Sequence, residues 1–290
     1  MKARSVLFVA VLGALVAGAC NPAKPLPPPD TYVALGDSYT AGPLIPNQVS
    51  LDCLKSDQNY PSLVAPATGL PKFRDNSCSG ATTEDMYQPH SFEDFGNPNP
   101  PQFTGLDVMT GLVTITIGGN DIGFTDIAIT CMEEFVAGLG TCEEDYAPPG
   151  GPDQISERIA ETAPKVDAVL DGIRALAPRA QIVLINYLPI FAEEGDPALL
   201  LCSANVPVHP DDIPYLRAKQ HELNAMLEAQ AAANGATFVD AYTAGLGHDS
   251  CQLPLVRWVE PLVPVPPLAA PVHPNAAGMQ GTAQAVLAAI

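Results

Sequence analysis

The chain has 290 residues, 47% of them apolar, with 13 Lys+Arg against 32 Asp+Glu for a net charge of -19. A charge this negative opposes the counterion release that drives binding to nucleic-acid phosphates, and it repels anionic lipid headgroups, so a nucleic-acid-binding role is excluded. A charged share of only 16% also excludes a disordered acidic tail, and the apolar share suits one large α/β domain or at most two small ones.

Residues 1–19 form the first element. Lys2 and Arg4 precede an apolar stretch from Val6 to Val16, too short to span a bilayer unaided, which is the pattern of an export signal. It ends Val16-Ala17-Gly18-Ala19-Cys20, which resembles the lipobox of bacterial lipoproteins, although Ala17-Gly18-Ala19 also reads as an ordinary cleavage site before simple secretion. Either cut takes the two positive charges of Lys2 and Arg4 from the -19 and leaves -21. Residues 20–30, with the run Asn21 to Pro29, are a proline-rich tether that favours an extended PPII course. Residues 31–290 are expected to form one domain.

With Cys20 lipidated or removed, six of the 7 cysteines remain: Cys53, Cys78, Cys131, Cys142, Cys202 and Cys251. An even count in an exported chain reads as disulfides, and six cysteines allow about 15 pairings among which the sequence does not choose. Sequential pairing, Cys53–Cys78, Cys131–Cys142 and Cys202–Cys251, is the simplest. Each such loop would contribute roughly 3 to 4 kcal/mol in the chain-entropy model. No C-x-x-C or H-x-x-x-H spacing occurs, so no metal is expected.

Strands then alternate with helices. Tyr32–Leu35, Leu112–Ile117, Gln181–Asn186 and Thr237–Val239 are short β-branched runs that end in Gly or polar residues, as buried parallel strands do where they open into loops. Ile155 to Leu176 carries apolar residues at mixed spacings of three and four, with Pro164 expected to kink or interrupt it. Pro214 to Asn234 repeats that pattern before a Gly235 stop, and Asn275 to Ile290 ends the chain as an Ala-rich helix. The alternation predicts a three-layer α/β/α sandwich on a parallel sheet, with chemistry outside the carboxyl ends of the strands.

Four short motifs fall at such ends. Gly36-Asp37-Ser38 follows the first strand and places Ser38 at a strand-to-helix turn; Ser79-Gly80-Ala81-Thr82 is a turn before another predicted helix. Gly118-Gly119-Asn120-Asp121 follows the second strand, and His273-Pro274-Asn275 precedes the last helix. Each alone has a plainer reading, as a helix cap or a glycine loop. Their combination is far more specific than any part.

On these residues the sequence resembles the SGNH (GDSL-type) hydrolase superfamily, and within it the actinobacterial secreted lipase and esterase branch. Phe238-Val239-Asp240-Ala241-Tyr242, Gly247-His248-Asp249-Ser250-Cys251, Trp258-Val259-Glu260-Pro261 and Pro271-Val272-His273-Pro274-Asn275 are similar to stretches of that branch. The resemblance implies a flavodoxin-like fold with a five-stranded parallel sheet and three disulfides, which supports sequential pairing. It implies hydrolysis of a lipid or small-molecule ester without a cofactor: Ser38 attacks, His273 takes its proton, and Ser38 N–H, Gly80 N–H and the Asn120 amide hold the oxyanion. A monomer is expected, with membrane contact through Cys20.

One position departs from the family pattern. The Asp expected three residues before the catalytic His is Ala270, and its task is expected to fall to a backbone carbonyl, that of Ala270. The alternatives are a remote acid, Glu260, Asp249 or Asp240, and a different base, His248. The Pro-rich run from Leu262 to Val272 reads either as a surface loop or as an apolar wall for an acyl chain. Three other functions compete. A binding lipoprotein on the same fold leaves the co-occurrence of Ser38, Asn120 and His273 unexplained, and an α/β-hydrolase or cutinase needs a G-x-S-x-G elbow that the chain lacks. A carbohydrate acetyl esterase differs only in substrate.

Overall fold

The computed structural model describes residues 26–90, 98–263 and 268–290. Residues 1–25, with the export signal, Cys20 and most of the tether, lie outside the described residues, as do 264–267 of the Pro-rich run.

Five strands form one parallel sheet: β1 (Thr31–Gly36), β2 (Lys72–Asp75), β3 (Thr110–Thr116), β4 (Gln181–Ile185) and β5 (Thr237–Val239). Their spatial order is β2-β1-β3-β4-β5, the flavodoxin-like arrangement, in which the crevice lies where the winding reverses between β1 and β3. All six β1 residues are buried and only Gly111 of β3 is not, as helices on both faces require of central strands. Helices α2 (Gln154–Leu176) and α3 (Asp212–Ala233) pack together on one face, while α4 (Ala276–Ala289) and the short helix Tyr60–Val64 pack together on the other.

Helix α2 runs unbroken through Pro164. The ring sits on the exposed side, and the buried stripe of Ile159, Val166, Val169, Leu170 and Ile173 holds the helix to the core against a proline cost of about 3 kcal/mol. A further helix, α1 (Phe124–Ala137), starts after the β3 loop and leans over the carboxyl end of the sheet.

Three disulfides fasten segments that the sheet does not hold. Cys53–Cys78 joins a two-strand hairpin to the loop bearing Gly80, Cys131–Cys142 ties α1 to the next helical turn, and Cys202–Cys251 anchors the segment that precedes the His273 loop. At the opposite pole, the start of the described chain is pinned under the sheet. Asp30 N–H donates to Met109 O at 2.9 Å, Arg179 Nη1 donates to Pro27 O at 2.8 Å, and Lys72 pairs with Asp30 at 2.7 Å.

Candidate active site

The turn after β1 is shaped by its sequence. Gly36 has φ +132°, and a Cβ there would meet Thr116 O and Thr40 Oγ1 at 2.4 Å, so only glycine lets the chain turn sharply beside β3. Asp37 caps the single helical turn Ser38–Ala41 by accepting from Tyr39 N–H at 2.9 Å, which leaves Ser38 at its first position. The backbone N–H groups of Ser38 and Gly80 have no hydrogen-bond partner among the described residues.

His273 Nε2 lies 2.7 Å from Ser38 Oγ, and His273 Nδ1 lies 2.7 Å from the carbonyl oxygen of Pro271. A carbonyl only accepts, so Nδ1 carries the proton and Nε2 offers its lone pair to the serine hydroxyl. The supporting carbonyl is therefore Pro271's and not that of Ala270. Ala270 O instead accepts the backbone N–H of His273 at 3.2 Å, closing a turn in which Val272 adopts φ +54° and the Pro271 carbonyl faces the ring. Desolvation holds the His273 pKa below its ordinary value, with the Pro271 hydrogen bond as the smaller, opposing cause.

The remaining alternatives are occupied elsewhere. Asp240 accepts from Thr243 N–H and Asn186 Nδ2, and Asp249 accepts from Cys251 N–H and Gln252 Nε2. Glu260 is fully buried against Arg257, and His248 stacks flat on Trp258 at 4.3 Å. None of the four reaches His273 with its side chain.

Asn120 donates through Nδ2 to Ala81 O at 2.8 Å, while Asp121 accepts from both the backbone N–H and the hydroxyl of Thr83. The Gly80 and Asn120 loops are thus tied side by side. Ser38, Gly80, Asn120 and His273 line one cavity of about 540 Å³, a size typical of ligand pockets. Most of its wall is apolar and comes from Phe124 and Ile127 near the start of α1, Ile190 and Phe191 after β4, and Val206 and Val208. Leu262, Ala270, Pro271 and Val272, which belong to the described part of the Pro-rich run, also line the cavity alongside His273. The sequence singled out neither Tyr187 nor Arg257. Apolar patterning hides a buried polar tip, and only the fold shows what each one touches.

A serine paired with an imidazole, two open N–H groups and a neighbouring Asn amide at the switch point of a 2-1-3-4-5 sheet define an SGNH-type hydrolase. The chain belongs to the GDSL-like Lipase/Acylhydrolase family, whose model matches residues 34–280, and it is an ester hydrolase of the lipase/esterase type. It is 38% identical to "Lipase 2" of Streptomyces coelicolor over 95% of this chain and 92% of that one. Among solved structures, phospholipase A1 from Streptomyces albidoflavus NA297 superposes with a TM-score of 0.72 at 27% identity, covering 90% of this chain and 100% of that one. The extracellular lipase from Streptomyces rimosus gives 0.67 at 29% identity, with 90% and 99% covered.

Proposed function

We propose that this enzyme hydrolyses carboxylic esters of fatty acids through an acyl-enzyme on Ser38. The observation that carries the reading is the 2.7 Å contact between Ser38 Oγ and His273 Nε2 at the mouth of the apolar cavity. Ser38 Oγ bonds to the ester carbonyl carbon as His273 takes the hydroxyl proton, and the N–H groups of Ser38 and Gly80 with the Asn120 amide hold the negative oxygen. The carbon–alkoxide bond then breaks and His273 returns the proton to the leaving alcohol. Water, deprotonated by His273 in turn, releases the acid. The cavity wall would seat the acyl chain, which favours fatty esters over acetyl esters.

A panel of p-nitrophenyl esters with Ser38→Ala as control tests this. Fluorophosphonate should label Ser38 alone, Ser38→Ala should be inactive, and kcat/KM should rise from acetate to octanoate. Full activity in Ser38→Ala would refute the mechanism, whereas highest activity on acetate would point to the carbohydrate acetyl esters.

The enzyme works outside the cytoplasm as a monomer, secreted or held by a lipid on Cys20. The export-type leader and the three disulfides support that placement. A fatty-acid label should enter the wild-type protein in cells and be lost from Cys20→Ser; an unlabelled wild type leaves simple secretion.

A further inference from the structure

Asp37 is a carboxyl 1% exposed, buried within the site, with hydrogen-bond donors around it and no ion pair among the described residues. Such a group is costly unless its oxygens are bonded. Oδ1 accepts from Tyr39 N–H at 2.9 Å, and Oδ2 accepts from the Tyr187 hydroxyl at 2.6 Å. The same hydroxyl oxygen accepts from Gly119 N–H at 2.7 Å, the residue before Asn120. Tyr187 is itself held from both sides by Asn224 of α3, whose Oδ1 accepts from Tyr187 N–H at 3.1 Å and whose Nδ2 donates to Tyr187 O at 3.2 Å. Its ring meets that of Tyr39 edge-on with centroids 5.0 Å apart. The Tyr39 hydroxyl in turn donates to Val272 O at 2.7 Å, beside His273.

We propose that Tyr187 is a positioning residue of the hydrolysis, its one hydroxyl fixing the Gly119–Asn120 loop to the Asp37 turn so that the oxyanion donors keep their spacing from Ser38. The proposal rests on Ser38 being the nucleophile. Preorganised donors act only where their distance to the developing charge is set in advance, and Tyr187 spans the gap between the β1 and β3 loops, the two walls of the crevice. Two further loops join the same set, Gly80's through Asp121 and His273's through Tyr39.

The tie is sensitive to a proton. Burial pushes the Asp37 pKa up to about 7, against the hydrogen bonds from Tyr187 and Tyr39, and the Asp121 charge raises it further. The other groups around it are the Tyr39 and Tyr187 rings and, across Ser38, His273. A proton on Oδ2 removes the acceptor of the Tyr187 hydroxyl and loosens the hold on Gly119. Activity should therefore fall first in a partial step near 7, then completely as His273 protonates below its ordinary 6.5.

Tyr187→Phe removes only the hydroxyl. With active sites counted by fluorophosphonate, kcat per labelled site for p-nitrophenyl butyrate should fall about 10- to 100-fold, with KM within about twofold. A merely structural role would lower the labelled fraction and the melting temperature but leave kcat per site within about threefold, and that result overturns the proposal. If Tyr187→Phe does not fold, the wild type and Asp37→Asn decide. A step near pH 7 that Asp37→Asn abolishes supports the tie, and a wild-type profile with the His273 step alone overturns it. A wild type whose Ser38 takes no label would instead fail the hydrolase reading, so the two failures are distinguishable.

Discussion

His273→Ala should lower kcat on p-nitrophenyl esters by about 10⁴-fold or more, whereas Asp240→Ala and Asp249→Ala should each stay within about threefold once folded protein is compared. The asymmetry follows from what holds the imidazole. In a three-member arrangement a carboxylate fixes the tautomer and stabilises the imidazolium, and its deletion is itself costly. Here the Nδ1 proton goes to the Pro271 carbonyl at 2.7 Å, a main-chain atom that no side-chain substitution removes. Pro271→Ala keeps the acceptor and should cost little beyond loop rigidity. A carbonyl carries no net charge, so it stabilises imidazolium less than a carboxylate would and only partly offsets the burial that holds the His273 pKa below its ordinary value. The measurement is kcat and KM for each variant, checked for folding by circular dichroism. An acid variant with a loss as large as that of His273→Ala would show that a side chain takes the role.

Glu260→Ala should destabilise the fold by about 3 to 5 kcal/mol, because it strands a buried cation. Arg257 is 5% exposed and Glu260 0%, with Nη2 to Oε2 at 2.8 Å, and Arg257 Nε has no hydrogen-bond partner among the described residues. Glu260 Oε1 also accepts from Asn275 Nδ2 at 2.9 Å, and its backbone brackets the His273 loop: Glu260 N–H donates to His273 O, and Val272 N–H donates to Glu260 O. Neighbouring Trp258 fits against α4 only because Gly278 and Gly281 carry no Cβ; one at Gly281 would lie 2.3 Å from the indole ring. The double variant Arg257→Met with Glu260→Leu should recover most of the loss, since a buried ion pair replaced by apolar residues is often neutral. Urea unfolding with disulfides intact measures both, and a single-variant loss under about 1 kcal/mol would refute the argument.

Much of this was legible in the residues. The central strands announce themselves because burial on both faces demands unbroken β-branched runs, and Ser38, Gly80, Asn120 and His273 converge because each ends an element on the same side of the sheet. Edge strand β2 is illegible for the opposite reason: Lys72, Phe73 and Arg74 are exposed, so nothing in their polarity marks a strand. Helix α1 is hidden because its start after a Gly-rich loop reads as more loop, with Gly123 in the left-handed region at its N-cap and no capping side chain. The carbonyl that serves His273 turned on the φ +54° of Val272, a conformation that β-branched residues rarely adopt and that no pattern predicts. Tyr187 and Arg257 belong to networks whose members lie far apart along the chain or buried in a loop.

The pinning of Pro27 to Asp30 beneath the sheet gives the molecule a polarity with a practical side. Those contacts lie at the amino ends of β1 and β3, while Ser38 and the cavity mouth lie past their carboxyl ends. Anything grafted upstream of Leu26, a fusion partner or a solid support, therefore joins the described chain at the pole away from the cavity. An attachment at that end leaves the residues around the cavity, at the opposite pole, unmodified.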